Sequence, residues 1–339
     1  MLASGSIGLA RYKWLAEYVN ARPEYGLAHR IYRRWGNYDA LIFLKSMGDR
    51  SMDLVRKMQR SRRPVVFDAN VNYYSRDGKE YYERMLPSEK QRDDAIEVTT
   101  ASDAVIADSQ YIKAVCQNYN ANVEWIPDNV RMDLVPAYQT WCLNSKRLQL
   151  LWCGEAVKLF ELLVIKKLLL DFADRIELIL ITNDFAALNR WHGDYKSQFQ
   201  ALLDRVPHRI IAYQSIEHLF KIYASGGVFI SPRFLDNSYN LGHTEWKITL
   251  AMACSRLALC SPLPSYLDVS AKAEGRGIRI CGTACDWEMA LDTILKNDLD
   301  LRSEEENARA VVEQYYSTRV VAKYHTAFLQ KVLNDMLPG

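Results

Sequence analysis

The residues best placed to do chemistry lie between positions 237 and 261. Asn240, Gly242, His243, Thr244 and Lys247 follow one another in NLGHTEWK, a polar loop that runs into an apolar helical stretch. Thr244 is of the type that caps a helix, and the N–H groups of the first turn would then point into the loop. A helix N-terminus with a lysine beside it is a ready site for an anion, a diphosphate included. A buried strand is expected before the loop, at 228–231, and another after the helix, at 257–261. Ligands of open α/β sheets bind beyond the carboxyl ends of such strands. Lys247 is therefore the leading phosphate contact. His243 and Asn240 are candidate pocket residues, although a loop histidine is often only a surface group.

Other candidates are spread along the chain. Lys158, at an expected helix start, is a second phosphate contact or a surface lysine. Gly5 and Gly8, with Arg11 behind them, can let backbone approach an anion across a cleft. Asp68 ends the apolar run PVVFD ahead of Asn70 and Asn72. It is the candidate general base or acceptor-orienting group, with a turn-capping aspartate as the alternative. No DxD motif stands at a strand end, so no metal is expected.

The elements that must hold these residues follow from hydrophobic pattern. Strands are expected at 40–44, 64–68, 104–107 and 123–126, then at 148–153, 176–182, 209–213, 228–231, 257–261 and 278–281. Most are continuous apolar runs, as strands covered on both faces are. Helices are expected between them, at 110–119, 158–172, 216–224 and 245–254. This alternation predicts parallel sheets with crossover helices. It pauses once, in a proline-bearing stretch. The expected organisation is an α/β chain of two Rossmann-like doubly wound domains, 1–130 and 148–315, with a linker at 131–147. A terminal helix at 316–339 packs on the outside and can return to the first domain. Only residues 1–3 precede the first glycine turn, so the first strand is very short or the sequence begins late.

Three blocks carry a resemblance. FISPRFLDNSYNLGHTEWKITLAMACSRLALCSPLPSYLDV (229–269) resembles the donor-binding region of GT-B glycosyltransferases, above all the retaining, sucrose-synthase-like bacterial enzymes of family 4. Lys247, Ala251, Met252, Ala253, Ser261, Pro262, Pro264, Ser265 and Tyr266 match its helix and following strand. ASDAVIADSQYIKAVCQNYNANVEWIPDNV (101–130) resembles the end of that family's first domain. LQLLWCGEAVKLFEL (148–162) resembles the strand and glycine turn that open the second, with Gly154 in the turn. The resemblance implies two domains facing a cleft, a nucleotide-sugar donor, and transfer to a glycan, lipid-linked glycan or small-molecule acceptor without a protein nucleophile. It further implies that Tyr213 borders the base, as stacking partner or core residue. The family's usual glutamate, which grips the donor ribose, is Leu250 here, and its helix-closing glycine is Ser255. A pseudo-glycosyltransferase or an inert binding subunit of this fold is the alternative.

Composition bounds these readings. A chain of 339 residues suits two domains. With 49 % apolar and 25 % charged residues it is globular rather than disordered. The net charge of +2 gives no whole-protein reason to expect nucleic acid or an anionic membrane as partner. The clusters Arg30, Arg33, Arg34 and Arg56, Lys57, Arg60, Arg62, Arg63 read as solvated helix faces. Seven scattered cysteines without a CxxC pair suit reduced thiols in a cytoplasmic protein. Peripheral contact with the inner membrane face stays open, as does oligomeric state. No cofactor is expected beyond the donor substrate, and the absence of GxGxxG argues against a dinucleotide dehydrogenase.

Overall fold

The computed structural model describes residues 8–137 and 147–336. Gly5, the expected strand at 1–3 and linker positions 138–146 lie outside them.

Two parallel sheets organise the chain. The first has the order β1-β2-β3-β4, from Leu41–Leu44, Val65–Ala69, Ala104–Ala107 and Val123–Trp125. The second has the order β10-β9-β8-β5-β6-β7. Its strands are β5 Leu148–Cys153, β6 Ile176–Thr182, β7 His208–Ala212, β8 Val228–Ser231, β9 Ala258–Cys260 and β10 Ile278–Ile280. Strands β2, β3, β8 and β9 are buried along their whole length, which is why they read as unbroken apolar runs. In the second sheet the chain winds outward from β5 through β6 to β7, then returns to the other side of β5 for β8. That reversal leaves a crevice at the carboxyl ends of β5 and β8, the topological switch point where ligands of doubly wound sheets bind.

One expected helix takes a different form. Residues Ala156–Ile165 form a tight three-residue-per-turn helix, and an α-helix follows only at Lys166–Asp171. Ala156, Leu159, Leu162 and Ile165 recur every three residues and are all buried, a spacing that suits the 3₁₀ period.

The two units are tied together in two places. Val130 donates its N–H to Tyr316 O at 2.8 Å, and Thr318 donates to Val130 O at 2.9 Å. The backbone turns at Ser317, and the helix Thr318–Met336 then packs Val321, Ala322, Phe328, Leu329 and Val332 over the first sheet beside Leu15 and Val19. The second tie is a strap. After β2 the chain leaves the first sheet and buries Tyr81, Tyr82 and Met85 in the core of the second unit. Tyr81 stacks on Phe234 at 4.4 Å and on Phe160 at 4.9 Å, and its hydroxyl donates to Asp236 Oδ2 at 2.6 Å.

Candidate functional site

The carboxyl ends of β5 and β8 gather most of the expected residues. Beyond β5, Thr182 Oγ1 donates to Gly154 O at 2.7 Å, and Asn183 Oδ1 accepts from Ala156 N–H at 2.8 Å. These bonds hold the turn that presents Lys158. Beyond β8, Asn237 caps the short helix Ser238–Leu241 by accepting from Asn240 N–H at 2.8 Å. Asn240 is fully buried and donates from Nδ2 to Phe234 O at 2.9 Å. That loop places His243 against Lys158, with Nε2 and Nζ 2.7 Å apart. A Cβ at Gly154 would come within 2.7 Å of Lys247 Nζ and 2.8 Å of the Trp152 ring, so a side chain there would displace the lysine. Lys247 also lies over the Trp152 ring, 5.5 Å from its centre.

The charges in this crevice are unbalanced. Burial, followed by Lys158, Arg233 and Lys247, holds the His243 ring well below its ordinary pKa, so it is neutral. Its Nδ1 lies 2.9 Å from Tyr239 O, which assigns the proton to Nδ1 and leaves Nε2 to accept from the Lys158 ammonium. Burial, with Arg233 and Lys158 nearby, lowers Lys247 to about 7. Arg233 itself is balanced: its Nη1 donates to both oxygens of Glu161, at 2.7 and 2.6 Å, with both side chains buried. The uncompensated positive charge is thus carried by Lys158 and Lys247. Tyr239 stands 5.2 Å from Lys158, its ring facing the ammonium. Burial alone would raise its phenol pKa, but Lys158 and the hydrogen bond with Tyr82 together draw it below the usual value.

The helix start differs from expectation by one residue. The helix is Trp246–Ala253, and Glu245 rather than Thr244 occupies the cap position, without a side-chain cap bond. The Glu245 carboxylate instead accepts from Asp128 N–H across the interface at 3.2 Å. Thr244 Oγ1 lies 3.4 Å from the Trp246 N–H, a weak contact at best. The first turn therefore keeps donor capacity beside Lys247, where its dipole favours an anion.

Not every expected residue joins this cluster. Asp68 is 1 % exposed and takes both Nε and Nη2 of Arg11, at 3.3 and 3.1 Å, together with the Tyr12 hydroxyl at 2.8 Å. Arg11 in turn donates from Nη1 to Ile126 O at 2.7 Å and to Asp128 at 3.3 Å. Asp68 is thereby engaged as part of a buried ion pair rather than presented to the crevice. Gly8 lines a separate groove beside β1. Gly242 serves the contact between the two units: a Cβ there would lie 2.5 Å from Asn72 Cβ. Tyr213 follows β7 and is 38 % exposed; its N–H donates to Thr182 O at 2.8 Å, which puts it one strand over from Gly154.

Sequence reasoning missed three contributors. Glu161 and Arg233 were legible as lone charges in the apolar runs LFELLVI and FISPRF. Lys45, directly after β1, adopts a positive φ of 54°. Burial lowers its pKa, and its electrostatic neighbours include Tyr239 and Lys158, so it faces the same cluster from the first unit. The strap tyrosines lie in a polar segment without periodicity, and only the fold reveals them.

No family model and no curated protein matches the sequence. Solved structures do resemble the fold. The sucrose-phosphate synthase of Thermosynechococcus elongatus superposes with a TM-score of 0.63 at 15 % identity, covering 96 % of this chain and 80 % of that one. Anabaena HepE, solved in complex with UDP, gives 0.65 at 12 % identity over 94 % and 82 % of the two chains. A glycosyltransferase from Rickettsia africae gives 0.63 at 12 % identity over 99 % and 84 %. Two parallel sheets, the crossing of the terminal helix back to the first sheet and these likenesses agree: the chain has the GT-B fold.

Proposed function

We propose that the protein is a glycosyltransferase, moving a sugar from a nucleotide-sugar donor to a glycan, lipid-linked glycan or natural-product acceptor. The observation that carries this is the pair of uncompensated lysines, Lys158 and Lys247, with neutral His243 at the switch point of the second sheet. As the glycosidic bond breaks, negative charge grows on the departing diphosphate. Lys158, Lys247 in the ammonium form that a bound diphosphate favours, and a helix N-terminus stabilise that charge from positions fixed beforehand. Gly154 leaves room for the lysine, and Tyr213 flanks the crevice where a base would lie. This cationic set supports a metal-independent reaction, and the one DxD sequence, Asp298-Leu299-Asp300, lies between two helices rather than at a strand end. The resemblance of 229–269 supports retention of configuration and a role in polysaccharide synthesis, and the scattered cysteines support a cytoplasmic location.

Thermal-shift screening with UDP-, GDP-, ADP-, TDP- and CMP-linked sugars tests the reading, because a ligand held only by the native state raises the melting temperature. At least one donor should stabilise the wild type and fail to stabilise Lys247→Met. Silence across all of them would remove the proposal.

One observation favours a second reading. Leu250, where the resembled family has the ribose-gripping glutamate, is 2 % exposed and packed in the core. A protein that binds a donor without turning it over, or a pseudo-glycosyltransferase, fits that loss. Donor binding without release of nucleoside diphosphate, across a panel of acceptors, would favour it.

A further inference from the structure

Far from the crevice, one surface combines apolar exposure with unpaired positive charge. Trp35 is 89 % exposed and Ile31 66 %, the most exposed large apolar side chains among the described residues. Both stand in the segment 26–40, which is irregular rather than helical, so its arginines are not the helix face that the sequence suggested. The segment is nonetheless held in shape. The Tyr38 hydroxyl accepts from Arg33 N–H at 2.7 Å and contacts Ile31 O at 3.3 Å. Arg63 donates to Asn37 Oδ1 at 2.5 Å, which brings the arginines at the end of the helix Asp49–Arg60 to the same place. Arg30, Arg33, Arg34, Arg60 and Arg62 have no carboxylate within ion-pair distance among the described residues. Asp39 is the one acid of the segment, with Glu24 just before it, which leaves a clear positive excess. Behind Ile31, a groove of about 1130 Å³ has Leu27, Ile42, Leu329 and Leu333 among its walls beside polar groups such as Lys13 and Asn20, so aliphatic surface continues inward in part.

We infer that this face docks the protein on an anionic lipid bilayer. Trp35 and Ile31 enter the headgroup boundary, and the arginines meet lipid phosphates. Indole rings favour that boundary, and clustered basic residues are drawn to anionic leaflets. A nucleic acid would use the arginines and the indole, but it offers nothing to the aliphatic Ile31 or to the leucines of the groove behind it. The inference does not depend on the transfer reading.

The test is flotation of the full chain with phosphatidylcholine vesicles, with and without phosphatidylglycerol. The protein should float with the anionic vesicles, and roughly tenfold less with neutral ones or in high salt. Arg33→Ala with Arg34→Ala should weaken binding about 30-fold. Brominated lipid should quench tryptophan emission in the wild type, and Trp35→Phe should lose that quenching. Thermal unfolding of each variant confirms that the fold is intact. Absence of vesicle binding, equal binding to neutral vesicles, insensitivity to these substitutions, or binding to RNA in place of vesicles would each overturn the inference.

Discussion

Lys247 links donor binding to pH, and the sign follows from its surroundings. Burial and the neighbouring cations lower its pKa to about 7, so in the free protein it is only half charged at neutral pH. A nucleotide sugar carries both phosphates as esters, with no proton to lose across this range, so any pH dependence of its binding near neutrality belongs to the protein. Diphosphate favours the ammonium form, so the apparent dissociation constant scales with one plus the ratio of neutral to charged lysine. Between pH 6 and pH 8 this amounts to about a tenfold loss of affinity, with uptake of about half a proton per ligand at pH 7. Lys247→Met removes a charge-assisted hydrogen bond of ~1.5–3 kcal/mol, weakening binding at pH 6 by about 10- to 150-fold and flattening the pH profile. Calorimetric titration in two buffers of different ionisation enthalpy measures both quantities. Without ligand the linkage runs the other way. The folded pKa lies below the unfolded value of about 10.4, so the unfolded chain binds more protons between about 7 and 10. Native stability therefore rises with pH through that window, and the penalty is complete below it. Lys247→Met should raise unliganded stability near pH 6 by about 1–3 kcal/mol, after discounting for the partial exposure of the lysine. A wild-type affinity that is flat from pH 6 to pH 8, or the same slope in Lys247→Met, would refute the reasoning.

Three further outcomes follow from the packing. Asp68→Asn leaves Arg11 buried with a weakened partner and should cost about 3–5 kcal/mol in denaturant unfolding; an unchanged midpoint with lost turnover would return Asp68 to a catalytic role. Tyr81→Ala empties the socket between Phe160 and Phe234 and should destabilise by about 3–5 kcal/mol; small-angle scattering should show the two units moving apart. Leu250→Glu places a carboxylate in the apolar core and should lower stability by several kcal/mol. A tolerated Leu250→Glu with tighter nucleotide binding would mean that this position does face the ribose.

Much of the fold was legible because buried parallel strands announce themselves as unbroken apolar runs. Strands β3, β5, β6 and β8 have the bounds read from sequence, and the others differ by a residue or two at their ends. A single helix is expected from sequence at 158–172, but the burial of residues 156–165 at every third position is a property of the packed chain and selects the tighter turn there. The gathering of Lys158, His243 and Lys247 was partly readable, since each follows a strand at a turn or helix start. Asp68 shows the limit of that logic. A carboxylate at a strand end looks the same in sequence whether it faces a ligand or a buried arginine 57 positions away. The strap was invisible for a related reason: Tyr81 and Tyr82 find their apolar partners in the second unit, so no local period betrays them.

The central claim is that Lys158, His243 and Lys247 form the diphosphate site of a nucleotide-sugar donor. A crystal structure of the protein soaked with the donor that most raises its melting temperature tests this most directly. The account predicts the two phosphates at the start of the helix Trp246–Ala253, within hydrogen-bond distance of Lys158 Nζ and Lys247 Nζ. The diphosphate bound elsewhere, with both lysines in their unliganded positions, would contradict it.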